Sequence, residues 1–406
     1  MSAPSKSAIS YGEASFPIQS QRLIDWCKYD ALPLWGDLGT DKSGGFYERL
    51  NYDGTPDRSA KRRVRVQARQ CYVYSLATIN GWYGGASQAA DHGWAFLTQQ
   101  GLAGGEKFGS AGFKGCAHLL NPDGSLHDGA RDTYAQAFLI LASAWRYRAT
   151  SDAQALDMLY AATTFMTRYF KAKNSGYYED CSQSLPRRQN PHMHLFEAFM
   201  SAYQATQDGL FLELADDIFS LFKTRFYDLK NKCVLEYFDT DWTPLDREQA
   251  RIEPGHMMEW SWLLEWYGRL SGRDVKQYAN ELFLSALRNG LNHKTGLLIN
   301  EYRLDGTASN NSSRLWPQTE YLKACIARHR LGHREALLEA TSVIDRIFAD
   351  YLQTPLCGGW HDSLSSKACV ESQHMPSSSF YHLACAVSEA EDIRNKESLN
   401  PQKRSA

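Results

Sequence analysis

Two short steps, His194-x-x-Glu197 and His256-x-x-Glu259, set an imidazole and a carboxylate three residues apart inside the apolar stretches NPHMHLFEAFMSAY and EPGHMMEWSWLL. Residues at that spacing share one face of a helix. Two chemistries suit such pairs. Two histidines and two carboxylates could hold a divalent cation, although the order is the reverse of the Glu-x-x-His of carboxylate bundles and no HExxH occurs. The competing chemistry is proton transfer, since a carboxylate beside an imidazole fixes its tautomer and raises its pKa towards neutrality. A third histidine, His382 in SSSFYHLACA, sits in equally apolar surroundings.

Taken singly, each residue has an ordinary explanation. Asn190 before Pro191, or a serine of 377–379, can cap a helix. Glu197, Glu259 and Glu320 in first turns suit the helix dipole, worth roughly 0.3–1 kcal/mol. The argument for a site is their shared depth at the starts of six apolar segments. Gln67 and Arg69 come from the first, Tyr134 and Gln136 from the second, and Asn190, His192, His194 and Glu197 from the third. His256 and Glu259 follow from the fourth, Trp316, Gln318 and Glu320 from the fifth, and Ser378 and His382 from the sixth. Arg69 needs a partner if buried; Glu259, Glu320 or a substrate oxygen could supply it.

The elements that would gather these residues are legible as a repeat. Glycine-rich aromatic stretches beginning at Gly44, Gly112, Gly176, Cys233, Gly296 and Gly358 recur about every 60 residues. Several carry a hairpin turn signal, as at Asp53-Gly54, Asp123-Gly124 and Asp305-Gly306. Between them the pattern predicts pairs of helices. One member is apolar all round (64–84, 131–149, 191–206, 255–270, 314–331 and 376–391), and the other carries a one-sided stripe (87–102, 155–170, 210–226, 275–291 and 334–352). An all-round apolar helix is enclosed and a striped one lies at the surface. With 24–35 as the sixth outer helix, the expected fold is all-α: an (α/α)6 barrel, one domain over 1–406, with short β-hairpins at one end and a charged, frayed tail from about 392.

Composition narrows the classes. A formal charge of −2 implies no general attraction to nucleic acid or anionic membrane. Nine scattered cysteines without a CxxC suit reduced thiols, and neither an export signal nor an 18-residue apolar run is present, so a cytoplasmic protein is expected. There is no GxxxxGK[ST] and no GxSxG. The basic run Lys61-Arg62-Arg63, with Arg65, reads as a solvated face or as a contact for a phosphate- or sulfonate-bearing sugar. Tyr47, Phe113, Tyr177, Trp242 and Trp360 in the hairpins suit either sugar faces or the core.

With VQARQCYVYSLA, DTYAQAF, NPHMHLFEAFMSAY, EPGHMMEWSWLL, RLWPQTEYLKA and SSSFYHLACA in order, the chain resembles the N-acylglucosamine 2-epimerase superfamily, and within it the aldose–ketose isomerases acting on mannose. The resemblance implies His256 and His382 as the catalytic acid–base pair. It implies Arg69, Tyr134, Asn190, His194, Glu259, Trp316 and Glu320 as the groups around the sugar, with Glu259 setting the imidazole of His256 and Arg69 stabilising an enediolate. The implied reaction interconverts an aldose and its ketose, chiefly D-mannose and D-fructose, through a cis-enediol, with neither metal nor other cofactor. The implied partner is a small-molecule monosaccharide, and the implied assembly a monomer or homodimer. The alternatives are C2 epimerisation of the N-acylglucosamine or cellobiose type, and, from another class, an (α/α)6 glycoside hydrolase using paired carboxylates.

Overall fold

The computed structural model describes residues 15–102, 113–247 and 250–398. Helix α1 runs Phe16–Asp25 and continues through Trp26–Ala31 and Leu32–Asp37. Then follow α2 (Val64–Ile79), α3 (Ala86–Gln99), α4 (Thr133–Thr150), α5 (Ala153–Tyr169), α6 (Gln189–Thr206) and α7 (Gly209–Leu221). The chain closes with α8 (Pro254–Ser271), α9 (Lys276–Gly290), α10 (Leu315–Arg330), α11 (Ala336–Arg346) and α12 (Phe380–Ser398). Even-numbered helices form the inner ring, each packed on the next, with α12 returning to α2; odd-numbered ones lie outside, α1 covering α11 and α12.

Burial follows from the patterning. Every residue from Pro254 to Tyr267 of α8 is buried, whereas α11 buries only one face, at Ala336, Leu337, Ala340, Thr341, Val343 and Ile344. This is the contrast between an enclosed and a surface helix. The first outer helix starts earlier than position 24. Phe16, Leu23, Ile24 and Trp26 are all buried, so the apolar face extends one turn and more towards the N-terminus. Pro33 lacks an N–H for the helical ladder, and the Trp26–Ala31 stretch just before it is wound as a π-turn. At the other end, α12 continues past 392 to Ser398, because Ile393 is buried and Arg330 binds both Glu389 and Asp392. Gly112, the expected start of the second hairpin, and the tail beyond 398 lie outside the described residues.

The inner helices begin at one mouth, and the segments entering them pair around it. Arg62–Arg63 pairs with Leu119–Leu120, Asp132 bridges to Asp180, and Arg187–Arg188 pairs with Tyr237–Phe238. Arg251–Ile252 pairs with Glu301–Arg303, and Ser313–Arg314 with Ser363–Leu364. Arg49–Leu50 meets Met375–Pro376 and closes the circle. A repeated clasp ties hairpin to helix: the Gln67 amide bonds both backbone groups of Phe46, Gln136 those of Cys116, and Gln318 those of Leu298. His192 takes the same place in α6, accepting from Tyr177 N at 2.9 Å. These four residues serve the scaffold, and it is the residues two positions either side of them that face the mouth. The nine cysteines are free, and among the described residues no helix is long and apolar enough to cross a membrane.

Candidate active site

Pro254 opens α8 at its first turn, where its missing N–H costs nothing, and sets His256 at the barrel mouth. Burial leaves His256 only 4% exposed. Its Nδ1 lies 3.0 Å from Glu236 Oε1 and 3.5 Å from Glu253 Oε2. Burial alone opposes the imidazolium, but the charges of Glu236 and Glu253 override it and lift the pKa from 6.5 to about 10. Glu253, half-buried beside these groups, is pushed up to about 7. Glu236 is fixed in turn: its other oxygen accepts from Gln189 Nε2 at 2.9 Å, and Gln189 Oε1 accepts from the Trp260 indole at 2.7 Å. On the far side of the ring, His256 Nε2 meets the Asn190 amide at 3.1 Å, while Asn190 Oδ1 has no partner among the described residues. Turning the amide over would offer that oxygen to an imidazolium N–H.

His382 has a different environment. Its Nδ1 lies 2.7 Å from Glu320 Oε1, and Glu320 Oε2 lies 2.7 Å from Lys323 Nζ. Lys323 is fully buried, its ammonium 3.6 Å above the Trp262 ring. An ammonium in that position requires an anion, and Glu320 is the one in contact. The carboxylate can then accept Nδ1–H from a neutral His382, leaving Nε2 with its lone pair. Burial first, then the positive charges of Arg69 and Lys323, hold the His382 pKa well below 6.5. Two buried imidazoles thus have opposite tendencies, one towards the cation and one towards the free base.

Trp316 lies against both, its ring centroid 5.1 Å from His256 and 5.6 Å from His382. Gly255 makes room for it, since a Cβ there would fall 2.7 Å from the indole. On the opposite wall, Arg69 donates to Tyr134 Oη at 2.9 Å and to Ser378 O at 3.4 Å, with its guanidinium over Phe138 and Tyr381. It has no carboxylate partner among the described residues, so neither Glu259 nor Glu320 neutralises it. His194 packs on Tyr134 and Phe138, with Nδ1 3.5 Å from Glu197 and 3.8 Å from Glu259. Tyr381 donates its hydroxyl to Glu197.

All nine expected site residues therefore converge on one mouth, but one partnership is different. Glu259 does not orient His256; it lies with His194 on one side and with Glu320 and His382 on the other. The buttress is Glu236, from the preceding hairpin. A signal for it exists in the repeat. Four residues before each clasp stand Arg63, Arg188 and Arg314; Arg63 and Arg188 bind an acid from their own unit's hairpin, Glu48 and Glu179, while Arg314 binds Asp362 from the next unit's hairpin. In the fourth unit that position is Glu253, so Glu236 loses its arginine and takes His256 instead. In the second unit the pair is reversed, with Asp132 binding His118 at 2.7 Å. Three groups, His194/Glu197/Glu259, Glu236/Glu253/His256 and Glu259/Glu320/His382, bring possible ligand atoms within 4.8 Å of one another.

Fold and site together define a class: an (α/α)6 barrel whose mouth joins carboxylate-held imidazoles to an arginine–tyrosine wall, suited to moving protons on a small polar molecule. Residues 45–386 match the family model described as N-acylglucosamine 2-epimerase. The mannose-6-phosphate isomerase of Rhizobium meliloti (strain 1021) is 34% identical over 390 residues, 92% of this chain and 97% of that protein. The cellobiose 2-epimerase structure from Bacillus thermoamylovorans B4167 superposes with a TM-score of 0.82 at 22% identity, over 92% of this chain and 99% of the other. A D-mannose isomerase crystal structure gives 0.81 at 22% identity, over 97% and 100%. The chain belongs to the N-acylglucosamine 2-epimerase family and is an isomerase of the kind that interconverts aldoses with ketoses or epimers.

Proposed function

We propose that the protein isomerises a mannose-configured aldose to the fructose-configured ketose by proton transfer between its own side chains and the open-chain sugar. The observation that carries this reading is the opposed setting of the two histidines about Trp316. His382, held neutral and directed through Nδ1 onto Glu320, is the base whose Nε2 takes the proton from C2. His256, held protonated by Glu236 and Glu253, gives a proton to the carbonyl oxygen at C1. The resulting cis-enediol has its developing negative charge next to Arg69. His382 then returns its proton at C1, and the O2 proton goes back to the His256 side, which leaves the ketose and restores both imidazoles. Asn190, His194 and Glu259 hold the hydroxyls, and Trp316 and Tyr134 bound the open chain. Relatives that act as mannose isomerases support the aldose–ketose outcome.

The epimerase alternative uses the same groups, with the proton returned to C2 from the opposite face. The hydrolase alternative requires two carboxylates flanking a glycosidic bond. Glu320 is engaged by Lys323 and His382, and Asp132 by His118 and the backbone N–H of Ala135, which leaves it without its pair. The deciding experiment follows mannose in deuterated water by NMR. Fructose carrying deuterium at C1 is expected, with turnover unchanged by EDTA. Glucose without fructose, or turnover abolished by EDTA, would overturn the reading.

A further inference from the structure

The arginines around the mouth are not equivalent. Arg62 binds Asp41, Arg63 binds Glu48, Arg188 binds Glu179 and Arg314 binds Asp362. Arg65 has no hydrogen-bond or carboxylate partner among the described residues; its guanidinium lies 5.3 Å from the centre of the Tyr134 ring. The charges of Asp132 and Glu48 reach it, yet Glu48 is bound by Arg63, one Asp132 oxygen is taken by His118 at 2.7 Å and the other by Ala135 N at 2.8 Å. Arg69, which also lacks a carboxylate, approaches the same tyrosine ring at 5.7 Å. Two unneutralised guanidinium groups thus share Tyr134, and Arg65 is half-buried at the open end.

The two stand four residues apart on α2, about 6 Å along the helix axis. That separation is comparable to the span from the reacting carbons of an open hexose to its far end. An arginine fixed over an aromatic ring keeps its N–H edge free for a planar or tetrahedral oxyanion. We propose that Arg65 recognises a terminal oxyanion, and that the preferred substrate is an aldose bearing a phosphate at the end remote from the carbonyl. This rests on the isomerase reading for the place of the sugar, with Arg69 at the reacting oxygens and Arg65 outside it.

The test is calorimetric binding of mannose, mannose 6-phosphate and mannuronate to the wild-type chain, to Arg65→Gln and to Arg65→Lys, with turnover measured in parallel. The expected result is at least tenfold tighter binding of the phosphate than of mannose to the wild type. That ratio should fall about tenfold in Arg65→Gln, be partly kept in Arg65→Lys, and shrink with added salt. Tighter binding of mannuronate than of the phosphate would replace phosphate by carboxylate as the recognised group. Equal affinities for the three sugars, no binding of the phosphate, or a ratio unchanged in Arg65→Gln would overturn the proposal. If the preference is found but no ketose forms from any of the three, the isomerase reading fails and the anion subsite stands. If fructose forms without the preference, the reverse holds.

Discussion

Replacing Glu236 by glutamine keeps the shape of the side chain and removes its charge. His256 is raised from 6.5 to about 10, so its proton is held roughly 5 kcal/mol more tightly than in an open chain, at 1.36 kcal/mol per pH unit. Glu236 is the nearer of the two carboxylates, and Glu253 at 3.5 Å remains. The substitution should therefore remove part of the effect, about 1–2 pH units or about 1.4–2.7 kcal/mol. If protonated His256 is the acid, the alkaline limb of kcat/KM against pH reports its loss. That limb should fall from near 10 in the wild type to about 8–9 in Glu236→Gln. Stability carries the same signature. A group whose pKa is raised on folding contributes fully below its unfolded value, here 6.5, and loses that contribution as pH climbs through about 10. Urea denaturation should thus show the variant weaker by about 2 kcal/mol at pH 6, a gap that holds to about pH 8 and closes between about pH 8 and 10. An unmoved alkaline limb together with a pH-independent gap would refute the assignment of Glu236 as the group that keeps His256 charged.

Lys323→Met should shift the acidic limb of kcat/KM upwards, because Lys323 helps hold the His382 pKa down. It should also cost about 3 kcal/mol of stability by stranding Glu320; an unchanged limb would detach Lys323 from the base. Gln318→Ala leaves Leu298 N and O without their clasp, for an expected loss of about 2–4 kcal/mol in chemical denaturation; a loss below about 0.5 kcal/mol would remove the clasp from the account. Gly255→Ala drives a methyl group into Trp316 and should lower kcat at least tenfold with little change in far-UV circular dichroism. Retention of full kcat would show that Trp316 need not sit between the histidines.

The helical part of this structure could be read from the sequence because each inner helix is apolar on every side and each outer one on a single face. The stretch EPGHMMEWSWLL shows this plainly, with burial continuous from Pro254 to Tyr267. The mouth is less legible. Its paired segments are two or three residues long, too short for an alternating pattern to appear. In the sequence Glu259 pairs with His256, because spacing along one helix is the only geometry a sequence displays. The nitrogen of His256 turns instead towards a hairpin 20 residues earlier. Glu236 in CVLEYF looks like ordinary hairpin packing until it is aligned with Glu48 and Glu179 and its missing arginine is noticed. Lys323 in YLKACIARHR resembles a surface lysine, and only its place on an enclosed helix shows that it must have an anion.

The circle of pairings at the mouth has a temporal consequence. Ser377 bonds Glu48 across 329 residues of chain, and five residues further on stands His382. Five of the six pairings join neighbouring units and can form as each unit docks, with modest loop-closure entropy. The sixth must bring together the two most distant segments, and such contacts form slowly. During refolding, helix content and most of the enclosed core can therefore return while the mouth is still an open crescent, with His256 in place and His382 absent. Catalytic competence would then be the last property the chain acquires and the first it loses, lagging behind every spectroscopic measure of helix.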